Sequence, residues 1–135
     1  MQRRIKARSG YMNREALLVD DDDPTRTVYH EILSRMNFEV REASDGVKAV
    51  EFLSHQTPHL VILDLLLPKL SGRDVLDYIY NTPHLDNTKV IIFTAHEGLF
   101  PLRLRPGDEF LLKPLNPQAF RDAVTRVMSS TSIKR

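Results

Sequence analysis

The chain has 135 residues, 41% of them hydrophobic and 27% charged, and a formal net charge of +1. That length suits one domain with a single sizeable core, and the composition is globular rather than disordered. Balanced charge directs the chain to neither nucleic acid nor membrane. No apolar run approaches the ~20 residues that span a bilayer, and the lack of cysteine excludes disulfides, thiol nucleophiles and thiolate metal sites.

Residues 1–13 show no hydrophobic period and read as a flexible basic tail. Arg3, Arg4, Lys6, Arg8 and Arg14 all precede the first acid, Glu15, so the rest of the chain is net acidic. Met12-Asn13-Arg14-Glu15, directly before a strand, reads as a natural start, with residues 1–11 an addition ahead of it. No signal-peptide core precedes it, which makes the cytoplasm the expected location.

Ala16-Leu17-Leu18-Val19 is the first strand, and it runs into Asp20-Asp21-Asp22-Asp23. Asp23-Pro24 then opens a helix, an N-cap acid with proline in the first turn, and Val28, Ile32, Leu33 and Met36 follow at helical spacing. Phe38 to Glu42 alternates like a half-buried strand. Gly46 to His55 is a second helix with Val47, Val50 and Leu53 inward. Leu60–Leu63 is the third strand and ends at Asp64. Ser71-Gly72-Arg73-Asp74 has the form of a capping box and opens a helix burying Val75, Leu76 and Ile79. Val90-Ile91-Ile92-Phe93 ends at Thr94, and Phe110-Leu111-Leu112 ends at Lys113-Pro114. Asn116-Pro117 begins the last helix, with Phe120, Ala123, Val124, Val127 and Met128 on one stripe. From Ser129 the chain is polar and expected to fray, and residues 130–135 read as a polar tail. The domain proper spans residues 14–129.

Strands alternating with helices imply right-handed βαβ units and a parallel sheet covered on both faces. One connection breaks the rule. Ala95 to Arg105 has room for a helix but contains Pro101, with Pro106 just beyond, so at most one helical turn is expected between Glu97 and Arg105. The apolar residues of Leu99-Phe100-Pro101-Leu102-Arg103-Leu104-Arg105-Pro106, a degenerate fourth helix in place of a regular one, cannot all be buried by so short a segment, and an exposed Leu-Phe patch beside Arg103 and Arg105 would make an atypical docking surface.

The carboxyl ends of parallel strands lie along one edge, where open sheets bind ligands. If the first and third strands are neighbours, Asp20, Asp21 and Asp64 converge there. Two carboxylates ~4 Å apart repel by ~4 kcal/mol at an effective dielectric of 20. Three of them call for a cation, and oxygen-only ligands suit Mg²⁺, which readily takes phosphate oxygens as well. Thr94 and Lys113 add a hydroxyl and an ammonium. A carboxylate faced by these groups is built to receive a phosphoryl group.

Asp20-Asp21, Asp64 with Pro68 and Gly72 after it, Thr94-Ala95 and Lys113-Pro114 together resemble the receiver domain of bacterial two-component response regulators, over roughly residues 15–128. The resemblance implies a flavodoxin-like, doubly wound five-stranded parallel sheet of order 2-1-3-4-5. It implies Asp64 as phosphoacceptor, Asp21 as a direct Mg²⁺ ligand, Asp20 as a ligand through water, and a backbone carbonyl from Leu66. Thr94 and Lys113 would hold the phosphoryl group, Phe110 stands at the family's switch aromatic, and Leu66 and His96 would set the lifetime of the phosphorylated state. The acidic pair can be read as Asp20-Asp21, which sets Arg26 and Phe38 at their usual family offsets, or as Asp21-Asp22.

The implied partners are a sensor histidine kinase or phosphotransfer protein upstream and an unidentified protein downstream, with no DNA-binding domain in this chain. The implied role is a switch that assists its own phosphorylation and dephosphorylation, without turnover of a separate substrate. The competing reading is a pseudo-receiver acting as a phosphorylation-independent interaction module. A haloacid-dehalogenase-type phosphatase would need a further acid or threonine just after the nucleophile, where Leu65-Leu66 stands. The scattered His30, His55, His59 and His84 show no metal spacing and read as surface residues.

Overall fold

A computed structural model describes residues 14–96 and 103–130. The three inner strands carry short apolar runs that need cover on both faces, and the strands and helices alternate to supply it. The order is β1 (Arg14–Val19), α1 (Asp23–Arg35), β2 (Phe38–Ala43), α2 (Gly46–His55), β3 (Leu60–Leu63), α3 (Gly72–Tyr80), β4 (Lys89–Thr94), β5 (Glu109–Leu112) and α4 (Pro117–Ser129). All pairings are parallel, and the sheet order is β2-β1-β3-β4-β5. The doubly wound topology expected from the sequence is therefore present.

Because side chains alternate across a strand, each of the three inner strands feeds two cores. Leu17, Val19, Val61, Leu63, Val90 and Ile92 pack with Ala49 and Leu53 of α2 and with Val75, Leu76 and Ile79 of α3. Ala16, Leu18, Leu60, Ile62, Ile91 and Phe93 face the other way, onto Ile32 and Leu33 of α1 and Phe120, Val124 and Val127 of α4. Each such aliphatic or aromatic side chain contributes roughly 1.5–3 kcal/mol on burial. In the second layer Tyr29 packs edge-on to Phe93 with ring centroids 4.9 Å apart, and Phe120 lies 4.7 Å from the same tyrosine.

Several local expectations need correction. The α1 N-cap is Asp22, whose carboxylate accepts from Thr25 N and Thr25 Oγ1, so Asp23 is already helical. Val28 and Val47 are about half exposed, not core. Both lie at the edge of an apolar stripe whose centre is held by Ile32 and Leu33 in α1 and by Ala49 and Leu53 in α2. Ser129 belongs to α4, and Ser130 caps it while accepting a hydrogen bond from Lys89 Nζ. A 3-10 turn at Pro83–Leu85 was not legible. Ser71 caps α3 as expected, accepting from Asp74 N at 3.1 Å. Both tails (1–13 and 131–135) lie outside the described residues, as do residues 97–102, on which most of the expected single helical turn and docking surface fall. Residues 103–105 carry no helix, and the chain turns at 106–107, where Gly107 has φ +93.

Candidate functional site

The register decides what meets at the carboxyl edge. Val19 pairs with Leu63, so the next residues, Asp20 and Asp64, emerge side by side. The ladder continues past both strand ends: Asp64 N donates to Val19 O at 3.0 Å, and Asp20 N donates to Ala43 O at 3.1 Å. On the other side Lys113 N donates to Thr94 O at 2.7 Å, bringing the lysine to the same edge. The Lys113–Pro114 peptide bond is cis. Gly72 closes the loop beneath, because a Cβ there would collide with the carbonyl oxygen of Asp64. Its amide donates to Leu65 O at 2.8 Å.

One oxygen from each of Asp20, Asp21 and Asp64 lies within 4.8 Å of the others. Asp20 and Asp64 are buried and Asp21 is exposed, so the cluster is a pocket with one open side. Lys113 Nζ donates to Asp20 Oδ2 at 2.5 Å and to Asp64 Oδ2 at 3.2 Å, and it lies 5.4 Å from the centroid of Phe93. Burial draws the lysine ammonium down, but the hydrogen bond to Asp20 and the field of Asp64 outweigh it and hold Lys113 above its ordinary value. Burial also lifts the Asp20 carboxyl above its usual range, against the pull of Lys113 and of the Asp22 amide. A single ammonium shared between two buried carboxylates, with a third beside them, leaves negative charge uncompensated. Oxygen donors of this kind fit a hard divalent cation such as Mg²⁺.

The remaining residues divide clearly. Asp22 is committed to the helix cap, with its carboxylate on Thr25, which leaves Asp20 and Asp21 as the pair facing Asp64. Thr94 is fully buried at the end of β4, and its Oγ1 accepts from His96 N at 3.4 Å. Leu66 N donates to Asp64 Oδ1 at 3.4 Å, and Leu66 itself is about half exposed. His96 is exposed, and Phe110 is 39% exposed on β5.

Two groups at this edge were given no role in the sequence reading. Arg26 donates from Nη1 to the carbonyl of Asp20 at 2.7 Å, while Glu42 and Asp23 hold its other nitrogens. Asp45 caps α2 through Lys48 N, and its other oxygen stands 3.8 Å from Lys69 Nζ, tying the loop after Asp64 to α2. The first was marked by its family offset from Asp20-Asp21 and by the i, i+3 spacing of Asp23 and Arg26.

A family model described as "Response regulator receiver domain" matches residues 16–125. The alkaline phosphatase synthesis transcriptional regulatory protein PhoP of Bacillus subtilis is 30% identical over 125 residues, covering 90% of this chain and 51% of that protein. The chain thus spans about half the length of the curated relatives it matches. Chemotaxis response regulator CheY4 of Vibrio cholerae superposes with a TM-score of 0.74 at 21% identity, over 86% of this chain and 99% of that one. The receiver domain of a sensor histidine kinase from Pseudomonas aeruginosa PAO1, solved with a magnesium ion in its active-site cleft, gives 0.77 at 22% identity, over 88% and 100%. At these identities the structural matches establish the shared fold. Among the described residues no helix is long and apolar enough to cross a membrane.

Proposed function

The chain belongs to the response regulator receiver family, a signalling module of two-component systems, and on that premise we propose that it accepts a phosphoryl group on Asp64 from a phosphohistidine. The observation carrying this reading is Lys113 bridging Asp20 and Asp64 within a cluster of three carboxylates. In the step proposed, a carboxylate oxygen of Asp64 forms a bond to phosphorus as the phosphorus–nitrogen bond of the donor histidine breaks. The bonding pair leaves on the imidazole. Asp20, Asp21 and Asp64, with the Leu66 carbonyl, would hold Mg²⁺, which when bound supplies charge neutralisation for the phosphoryl oxygens.

Lys113 needs only to shift its ammonium from the Asp64 carboxylate to the new phosphoryl oxygens. Thr94, buried at the adjoining strand end, supplies a hydroxyl donor. Hydrogen bonds involving charged groups are worth ~1.5–3 kcal/mol each, and two of them approach the ~5.5 kcal/mol of a near-complete population shift. The upstream partner is then a sensor histidine kinase or phosphotransfer protein, and the downstream partner a protein that reads the shifted surface. Incubation with a labelled phosphohistidine donor and Mg²⁺ tests this. Label should move to the chain in an acid-stable, base-labile form. Thr94→Ala should label but show weakened amide shifts on phosphorylation. A chain that never takes label while binding Mg²⁺ would instead be a pseudo-receiver.

A further inference from the structure

Asp20 has both of its backbone polar atoms held by neighbours outside the acidic loop. Its N–H donates to Ala43 O at the end of β2, and its carbonyl accepts from Arg26 Nη1 at 2.7 Å. The guanidinium is itself locked. Nε donates to Glu42 Oε1 at 3.0 Å, and Nη2 donates to Asp23 Oδ1 at 2.6 Å. Glu42 is held in turn by His30, whose Nδ1 is 2.6 Å from its second oxygen. With the side chain only 15% exposed, this fork has little freedom.

The direction of the fork is the informative point. A cation beside three clustered carboxylates would ordinarily swing onto them and compete with a metal for the site. Here two other carboxylates occupy Nε and Nη2, and the third contact goes to a carbonyl. Arg26 therefore spends its charge outside the pocket and its geometry on the peptide that carries Asp20 and leads into Asp21. We infer that Arg26, oriented by Glu42, is a positioning residue for the divalent cation, fixing the backbone from which two of its carboxylate ligands project. The inference rests on the receiver reading above.

Charge and position predict opposite signs, so the two are separable. Removing a nearby cation should tighten Mg²⁺ binding if Arg26 acts by its field alone. If it positions the loop, binding should weaken, and the loss of an outer-shell partner of this kind is worth about tenfold or more in metal affinity. The experiment is calorimetric titration of the whole chain with Mg²⁺ alone, for wild type, Arg26→Gln and Arg26→Lys. Amide exchange at Asp20 to Asp22 is followed in metal-free protein, and labelling rates from a small phosphodonor are taken across Mg²⁺ concentrations.

The expected result for Arg26→Gln is weaker Mg²⁺ binding by about tenfold, faster exchange in the loop, and a labelling rate that recovers at saturating Mg²⁺. Arg26→Lys keeps the charge but loses the fork, and should fall between. Should Arg26→Gln not fold, Arg26→Lys carries the test. Unchanged or tighter Mg²⁺ binding in the folded variants would overturn the inference and leave the receiver reading intact. A wild type that neither binds Mg²⁺ nor labels would overturn both.

Discussion

At the amino-terminal edge of the sheet, Asp108 has a carboxylate that is 2% exposed and fully engaged. Val90 N donates to Oδ1 at 2.9 Å, while Tyr80 OH at 2.7 Å and Arg105 Nε at 3.4 Å reach Oδ2. Arg105 also donates to the carbonyl oxygens of Leu85, Asp86 and Thr88, and its guanidinium lies 4.3 Å from the centroid of the Tyr80 ring. At the carboxyl edge, Asp20 and Asp64 are buried to a similar degree, yet they share one ammonium with Asp21 close by. Both ends bury aspartate beside a cation. One end closes its network and ties α3 to the start of β4 and β5. The other leaves negative charge over, and that surplus is what a divalent cation can use. A stability network and a candidate metal site thus differ less in composition than in whether their hydrogen bonds are complete.

The largest effect should come from breaking the closed end. Asp108→Ala leaves Arg105 partly buried without its carboxylate, and should cost ~3 kcal/mol in urea unfolding. Tyr80→Phe should cost ~1 kcal/mol, since it removes one hydrogen bond to that carboxylate and one from Arg105 N. Neither should change Mg²⁺ affinity at temperatures where the protein stays folded. If either weakens Mg²⁺ binding as much as it weakens the fold, the two ends are not independent.

The open end should respond to metal instead. Mg²⁺ at about one hundred times its dissociation constant should stabilise the wild type by ~2.7 kcal/mol, and Asp64→Asn should remove most of that gain. In metal-free protein the same substitution relieves repulsion, and should raise stability by ~1 kcal/mol in thermal unfolding. A metal-free Asp64→Asn protein markedly less stable than wild type would mean that Lys113 already balances the site.

How much of this was legible follows from the kind of signal each residue gives. Buried parallel strands need unbroken apolar runs, so Val61–Leu63 and Val90–Phe93 stood out, and with them the groups at their ends. The register that sets Asp20 beside Asp64 follows from strand adjacency, which the order of elements constrains. Four consecutive aspartates carry no internal distinction. Asp22 is separated from Asp21 by the amide and hydroxyl of Thr25, a contact visible only in three dimensions. Helical spacing marked a stripe but not its width, hence the misjudged Val28 and Val47. The Asp108 network draws on residues 80, 85–90 and 105–108, and no local pattern joins a tyrosine ending one helix to an arginine 25 residues further along the chain.

A smaller effect sharpens the link between Arg26 and the acidic loop. Partial burial raises the Glu42 carboxyl, but the hydrogen bonds from Arg26 and His30 prevail and hold it below its ordinary value of 4.5. A depressed folded value means that this contribution is present above 4.5 and lost as pH falls through the lower value. The stability advantage of wild type over Glu42→Gln should therefore be level at neutral pH and shrink in acid. An advantage that instead grew on acidification would contradict the assigned pairing.

The most direct test of the site is intact mass before and after a small phosphodonor with Mg²⁺, for wild type and Asp64→Asn. Wild type should gain one phosphoryl group that survives acid and is lost in base, and Asp64→Asn should gain none. Full labelling of Asp64→Asn, or an unlabelled wild type under conditions where Mg²⁺ binds, would contradict the assignment.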